Sequence, residues 1–121
     1  MLIAVVDDEA AVRKALKRLL SSSDLEAETF ESGQAFIDSL SNHRPDCIVL
    51  DLHMPHLNGL DVLKQVSIRG LRLPVVVLTA HDEPGARAQC LAAGATSYFC
   101  KPLDDQTLLT AIDTALKAAP A

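Results

Sequence analysis

Short apolar runs and longer amphipathic segments take turns along this chain. The strand-like runs are Leu2–Val6, Leu25–Phe30, Asp46–Leu50, Pro74–Thr79 and Ser97–Cys100. Each is followed by a segment of helical spacing, near Ala10–Ser21, Gly33–Leu40, Gly59–Ile68, Pro84–Ala93 and Asp104–Ala118. In the first segment Val12, Leu16, Leu19 and Leu20 stand at i, i+4, i+7 and i+8, a stripe that predicts one buried face, with Arg13, Lys14, Lys17 and Arg18 on the other. Leu108, Ile112, Ala115 and Leu116 repeat the stripe in the last segment. Ile48-Val-Leu and Val75-Val-Val-Leu are continuous, not alternating, as strands covered on both faces require. Leu25-Glu-Ala-Glu-Thr-Phe is polar enough for a sheet edge. Five strand–helix repeats predict a single α/β domain over residues 1–121, a doubly wound (βα)5 arrangement. Right-handed crossovers with helices on both faces favour a parallel sheet in the order 2-1-3-4-5. Residues 118–121, Ala-Ala-Pro-Ala, read as a fraying tail.

Composition narrows the function classes. Eleven Lys and Arg against sixteen Asp and Glu leave a net charge of −5, so direct nucleic-acid binding by this domain is not expected. No apolar run approaches the ~20 residues of a membrane span. Met1–Val6 runs into Asp7 without a basic stretch, so a secretory signal is not expected and the chain reads as cytoplasmic, without a membrane role. With three Phe, one Tyr and no Trp, the core must be aliphatic. Cys47, Cys90 and Cys100 show no C-x-x-C spacing, and Cys47 and Cys100 lie in apolar runs where a thiol acts as a small hydrophobe.

In an open α/β sheet, ligands sit beyond the carboxyl ends of the strands. The first predicted strand is followed by Asp7-Asp8-Glu9, the third by Asp51, the fourth ends in Thr79-Ala80 and the fifth in Lys101-Pro102. An acidic turn after the first strand repels phosphate, and neither G-x-G-x-x-G nor G-x-x-x-x-G-K-[ST] occurs, so a nucleotide held by its own loop is not expected. Two carboxylates about 4 Å apart repel by roughly 4 kcal/mol at an effective dielectric near 20. Lys101 supplies one compensating charge, and a hard divalent cation such as Mg2+ (or Mn2+) suits the remainder. Beside such an ion a phosphoryl group becomes welcome, with Lys101 and Thr79 on its oxygens and Asp51 as a carboxylate nucleophile. Taken singly, each of these residues also reads as a cap, a turn residue or a surface side chain.

Asp7-Asp8, Asp51, Thr79-Ala80 and Lys101-Pro102 at these intervals resemble the receiver (response-regulator) domain of two-component signalling, most closely receivers of helix-turn-helix transcription regulators. The run Asp51-Leu-His-Met-Pro-His-Leu-Asn-Gly59 also matches that family's loop after the phosphorylated strand. The resemblance covers the whole chain and implies a flavodoxin-like fold. It implies Asp51 as phosphoacceptor, Asp8 as direct metal ligand, Asp7 reaching the metal through water, and the His53 backbone carbonyl completing the ligand set. It implies Thr79 and Lys101 as phosphate contacts, a cis Lys101–Pro102 bond, and Tyr98 as a ring that swings inward when Thr79 engages the phosphoryl group. The implied donor is a sensor histidine kinase or histidine phosphotransfer domain, facing the first helix, where Ala11 and Leu20 are expected at the site edge. The implied output face is the fourth helix, last strand and last helix, through which two phosphorylated copies pair.

Other readings stay open at this stage. Tyr98 alone reads equally as an aromatic half-covering the last strand, with Phe99 on the other side. His53-x-x-His56 has the look of a zinc pair but lacks a third soft ligand. His81 stands where receivers vary, with an effect on water approach of unpredictable sign. A metal-dependent phosphatase using Asp51 would place an acid where His53 stands. A passive interaction module, or a stand-alone receiver acting by protein contact, would share this fold. As a receiver the chain is expected to act on itself only, and so not to be an enzyme.

Overall fold

The computed structural model describes residues 1–118. Five strands alternate with five helices: β1 (Leu2–Val6), α1 (Ala10–Ser22), β2 (Glu26–Phe30), α2 (Gly33–Ser39), β3 (Cys47–Asp51), α3 (Gly59–Ile68), β4 (Val75–Thr79), α4 (Ala86–Ala92), β5 (Ser97–Cys100) and α5 (Asp105–Ala118). The strands form one parallel sheet in the order β2-β1-β3-β4-β5. Ala118 ends α5, and the rest of the expected tail lies outside the described residues.

Successive side chains of a strand point to opposite faces, and the core divides accordingly. Ala4, Val6, Ile48, Leu50, Val75, Val77 and Tyr98 share one cluster with residues of α2, α3 and α4. Ile3, Val5, Cys47, Val49, Val76 and Leu78 share the other with Leu20 of α1 and Leu108, Ile112 and Ala115 of α5. All five residues of β3 and of β4 are buried, whereas β2 at the edge has none buried, in line with its polar sequence. Helix starts follow local chemistry. Asn58 and Asp61 form a reciprocal capping box on α3, Ser32 caps α2, and the Asp104 carboxylate accepts the Thr107 N–H at α5. No helix among the described residues is long and apolar enough to cross a membrane.

Four expectations change. β3 starts and ends one residue late, because the Asp46 carboxylate accepts the Leu2 N–H while Asp51 pairs in register with Leu78. α4 begins at Ala86, since Gly85 takes a left-handed φ of 83° and leaves Pro84 outside. In α1 only Leu20 is fully buried, Val12, Leu16 and Leu19 being half-covered, and Leu20 sits in the core near the helix end distant from Asp7, not at the site edge. Cys100 is exposed, because it is the last residue of an edge strand, while Cys47 and Cys90 are buried as small hydrophobes.

Candidate functional site

A parallel sheet sends all its carboxyl ends to one side. β1 delivers Asp7 and Asp8, β3 ends on Asp51, β4 on Thr79, and Lys101 follows β5. Asp7, Asp8 and Asp51 each offer a carboxylate oxygen within 4.8 Å of the others. Asp7 and Asp51 are only 2% and 6% exposed, whereas Asp8 is open to solvent. Lys101 Nζ lies 3.1 Å from Asp7 Oδ2 and 3.8 Å from Asp51 Oδ1. The two oxygens of Asp7 are thus both engaged, since Oδ1 accepts the Glu9 N–H at 2.9 Å. Asp51 Oδ1 also accepts the His53 N–H at 3.4 Å.

Burial pushes the Asp51 carboxyl up to about 6, the Asp7 charge pushes the same way, and Lys101 works against both. Three carboxylates with one ammonium remain net negative, and every side-chain donor is a hard oxygen. That set fits a divalent cation of the Mg2+ class. Among the described residues this is the group of three or more ligands close enough to hold a metal; His53 and His56 do not join one.

Thr79 is fully buried, but its hydroxyl is turned onto its own loop: Oγ1 donates to the His81 carbonyl at 2.9 Å and accepts the His81 N–H at 3.1 Å. The Tyr98 ring does not half-cover its strand. It is 4% exposed, clustered with Ala86 and Cys90 of α4, with Phe99 in the opposite cluster. Its hydroxyl donates to Asp82 Oδ1 at 2.9 Å, and burial, then that bond, pushes the phenol up to about 12. The Lys101–Pro102 bond is cis.

Periodicity gave no notice of four further contacts. Asp82, from the loop before α4, holds the Tyr98 hydroxyl. Arg87 of α4 donates to the Tyr98 carbonyl at 3.2 Å. Arg13, expected on a solvated basic face, is half-buried and donates to the Asp7 carbonyl at 2.8 Å. The His53 ring places Nε2 3.1 Å from the His81 carbonyl. Each joins a polar side chain to a loop or strand edge through space, where hydropathy patterns are silent.

A family described as "Response regulator receiver domain" matches residues 3–113. The chain is 42% identical over 115 residues to the response regulator MprA of a Mycobacterium species (strain KMS), covering 95% of this chain and 50% of that protein. It is 37% identical over 112 residues to the DNA-binding transcriptional regulator NtrC of Klebsiella pneumoniae, covering 93% of this chain and 24% of that one. The crystal structure of a response regulator receiver protein from Burkholderia phymatum superposes with a TM-score of 0.85 at 42% identity, covering 99% of this chain and 98% of the other. The chain therefore spans half or less of the two curated relatives named and nearly all of the solved one.

Proposed function

The chain belongs to the response regulator receiver domain family, and from that membership we propose that it accepts a phosphoryl group on Asp51 and relays the change to the face formed by α4, β5 and α5. The observation that carries this reading is the convergence of Asp7, Asp8, Asp51 and Lys101 at one sheet edge. A carboxylate oxygen of Asp51 bonds to phosphorus as the P–N bond of a phosphohistidine breaks, and the imidazole leaves with the electron pair and takes up a proton. Lys101 neutralises the developing charge on the equatorial oxygens, and the Thr79 hydroxyl donates to one of them. Asp8, Asp51 and the His53 carbonyl would hold Mg2+ (or Mn2+) directly, with Asp7, whose oxygens are already engaged, reaching it through water. The ion, when bound, supplies charge neutralisation for the phosphoryl oxygens. In the reverse half, water attacks phosphorus, the P–O bond to Asp51 breaks, and the carboxylate is restored. Both steps act on the chain itself, so it is not an enzyme with an external substrate.

Phosphorylation changes the charge at Asp51 from −1 to about −2. For Thr79 to reach the phosphoryl group its hydroxyl must leave the His81 carbonyl, and the loop carrying Asp82, which holds Tyr98, is released with it. The donor is a sensor histidine kinase or histidine phosphotransfer domain lying against α1. The output is transcriptional, through a further domain, with phosphorylated copies pairing on α4-β5-α5; that NtrC is a DNA-binding transcriptional regulator supports this.

Intact mass after incubation with acetyl phosphate tests the chemistry. The expected result is a gain of one phosphoryl group that needs Mg2+ and disappears in Asp51→Asn. No gain in the unaltered chain with any divalent ion, or an equal gain in Asp51→Asn, overturns the reading.

A further inference from the structure

His53 makes two polar contacts at the site, one within its own loop and one across to the β4–α4 loop. Its backbone N–H donates to Asp51 Oδ1 at 3.4 Å, and its ring Nε2 lies 3.1 Å from the His81 carbonyl. A carbonyl cannot donate, so that nitrogen carries the proton and donates. The same carbonyl accepts the Thr79 hydroxyl at 2.9 Å, so both of its lone pairs are used. The two imidazoles also meet edge to face, with centroids 5.8 Å apart and planes at 69°. The next residue, Asp82, holds the Tyr98 hydroxyl at 2.9 Å. A continuous path therefore runs from Asp51 through His53 and the His81–Asp82 loop to Tyr98, beside the path through Thr79.

We propose that the His53 side chain is a positioning residue of the switch: its bond to the His81 carbonyl ties the β3–α3 loop to the β4–α4 loop and holds Asp82 and Tyr98 in the resting arrangement. This rests on the receiver reading for its purpose, though the tie itself exists before any phosphoryl group arrives. Thr79 leaves the His81 carbonyl when its side chain turns to the phosphoryl group, and the loop is then free of that bond. While His53 holds that carbonyl, turning the loop breaks a second bond. Removing the tie lowers the cost of opening by one net hydrogen bond, which is worth about a two- to twelvefold change in the population of the open loop.

Glutamine places an N–H close to the position of imidazole Nε2, and leucine has none. Amide exchange of His81, whose N–H is held by Thr79 Oγ1, read by NMR in the unphosphorylated chain without Mg2+, separates them. His53→Leu is expected to exchange about two- to twelvefold faster at this amide, with Val76, Val77 and Leu78 unchanged and His53→Gln restored to the rate of the unaltered chain. After phosphorylation, confirmed by mass, the difference between the unaltered chain and His53→Leu is expected to shrink. Equal rates in His53→Leu and the unaltered chain, or His53→Gln as fast as His53→Leu, overturn the tie. A chain that never gains the phosphoryl mass sinks the receiver chemistry, and the resting-state comparison still decides the tie.

Discussion

Lys101 reaches Asp7 at 3.1 Å, a contact between the ends of β5 and β1, which are separated in the sheet by β3 and β4. The lysine therefore lies across the end of β3, and Asp51 Oδ1 is its second neighbour at 3.8 Å. One ammonium compensates two nearly buried carboxylates.

Removing it leaves both uncompensated. Breaking a buried pair by deleting one partner costs about 3–5 kcal/mol, and the partial exposure of Lys101 reduces this to roughly 1–3 kcal/mol for Lys101→Ala at pH 7.5. The loss is expected to be smaller at pH 4, where Asp51 is protonated. Urea unfolding at the two pH values checks it. A loss equal at both would locate the role of Lys101 in packing, not in charge.

Asp51 makes the complementary prediction. Its carboxyl rises from 3.8 to about 6 on folding, so the folded state prefers the neutral form. Stability from this preference is fully present below the unfolded value and is lost as pH rises through the folded one. Two units correspond to about 3 kcal/mol, an upper figure for a site with one ammonium nearby. Asp51→Asn is thus expected to stabilise the metal-free chain at pH 7.5 by up to that amount and to do almost nothing at pH 4. Urea midpoints measured across this range test it, and a gain already complete at pH 4 would contradict it.

Gly59 marks how closely α3 is set against the end of β3. A Cβ there would stand 2.7 Å from the Asp51 carbonyl oxygen and 2.8 Å from Leu52 Cα, both backbone atoms. Gly59→Ala is expected to lose about 1–3 kcal/mol, the usual cost of forcing a methyl into a packed site. It should also slow phosphorylation, because the strain falls on Asp51 itself. Thermal unfolding and the initial rate of phosphoryl gain measure the two effects. Unchanged stability would mean that the loop yields freely.

The convergence of Asp7, Asp51, Thr79 and Lys101 was legible in the sequence because a parallel sheet sends every strand end to one edge. Alternation and continuous apolar runs located those ends to within one residue. What the pattern could not carry was the state of the hydroxyls. Nothing in a hydropathy profile says that Thr79 bonds to His81 or that Asp82 holds Tyr98, since such bonds depend on loop conformation. Cys100 failed for a related reason. Its apolar neighbours pointed inward, but the exposure of a residue at an edge depends on which strand lies outermost, and on its being the last in that strand. Leu20 matched the buried stripe, yet periodicity says which face a residue takes and not which end of the helix meets the site.

Two variants of Tyr98 separate the contribution of its ring from that of its hydroxyl. The ring is buried against α4, and the hydroxyl reaches an aspartate that water can also solvate. Tyr98→Phe keeps the packing and leaves Asp82 to hydrate, so it is expected to cost about 1 kcal/mol. Tyr98→Ala empties the cluster and is expected to cost about 3–5 kcal/mol. Because the phenol is pushed up to about 12, it stays a donor across the whole working range, and the cost of Tyr98→Phe relative to the unaltered chain should not vary between pH 6 and 9. In Tyr98→Phe the loop bearing Asp82 loses its anchor to β5 while β5 itself stays packed. Urea unfolding gives the two costs, and amide exchange at the neighbouring His81, whose N–H is bonded to Thr79 Oγ1, shows whether the anchor was the hydroxyl. If Tyr98→Phe leaves that exchange unchanged, the ring alone holds the face, and movement of the loop would no longer reach the output surface through Asp82.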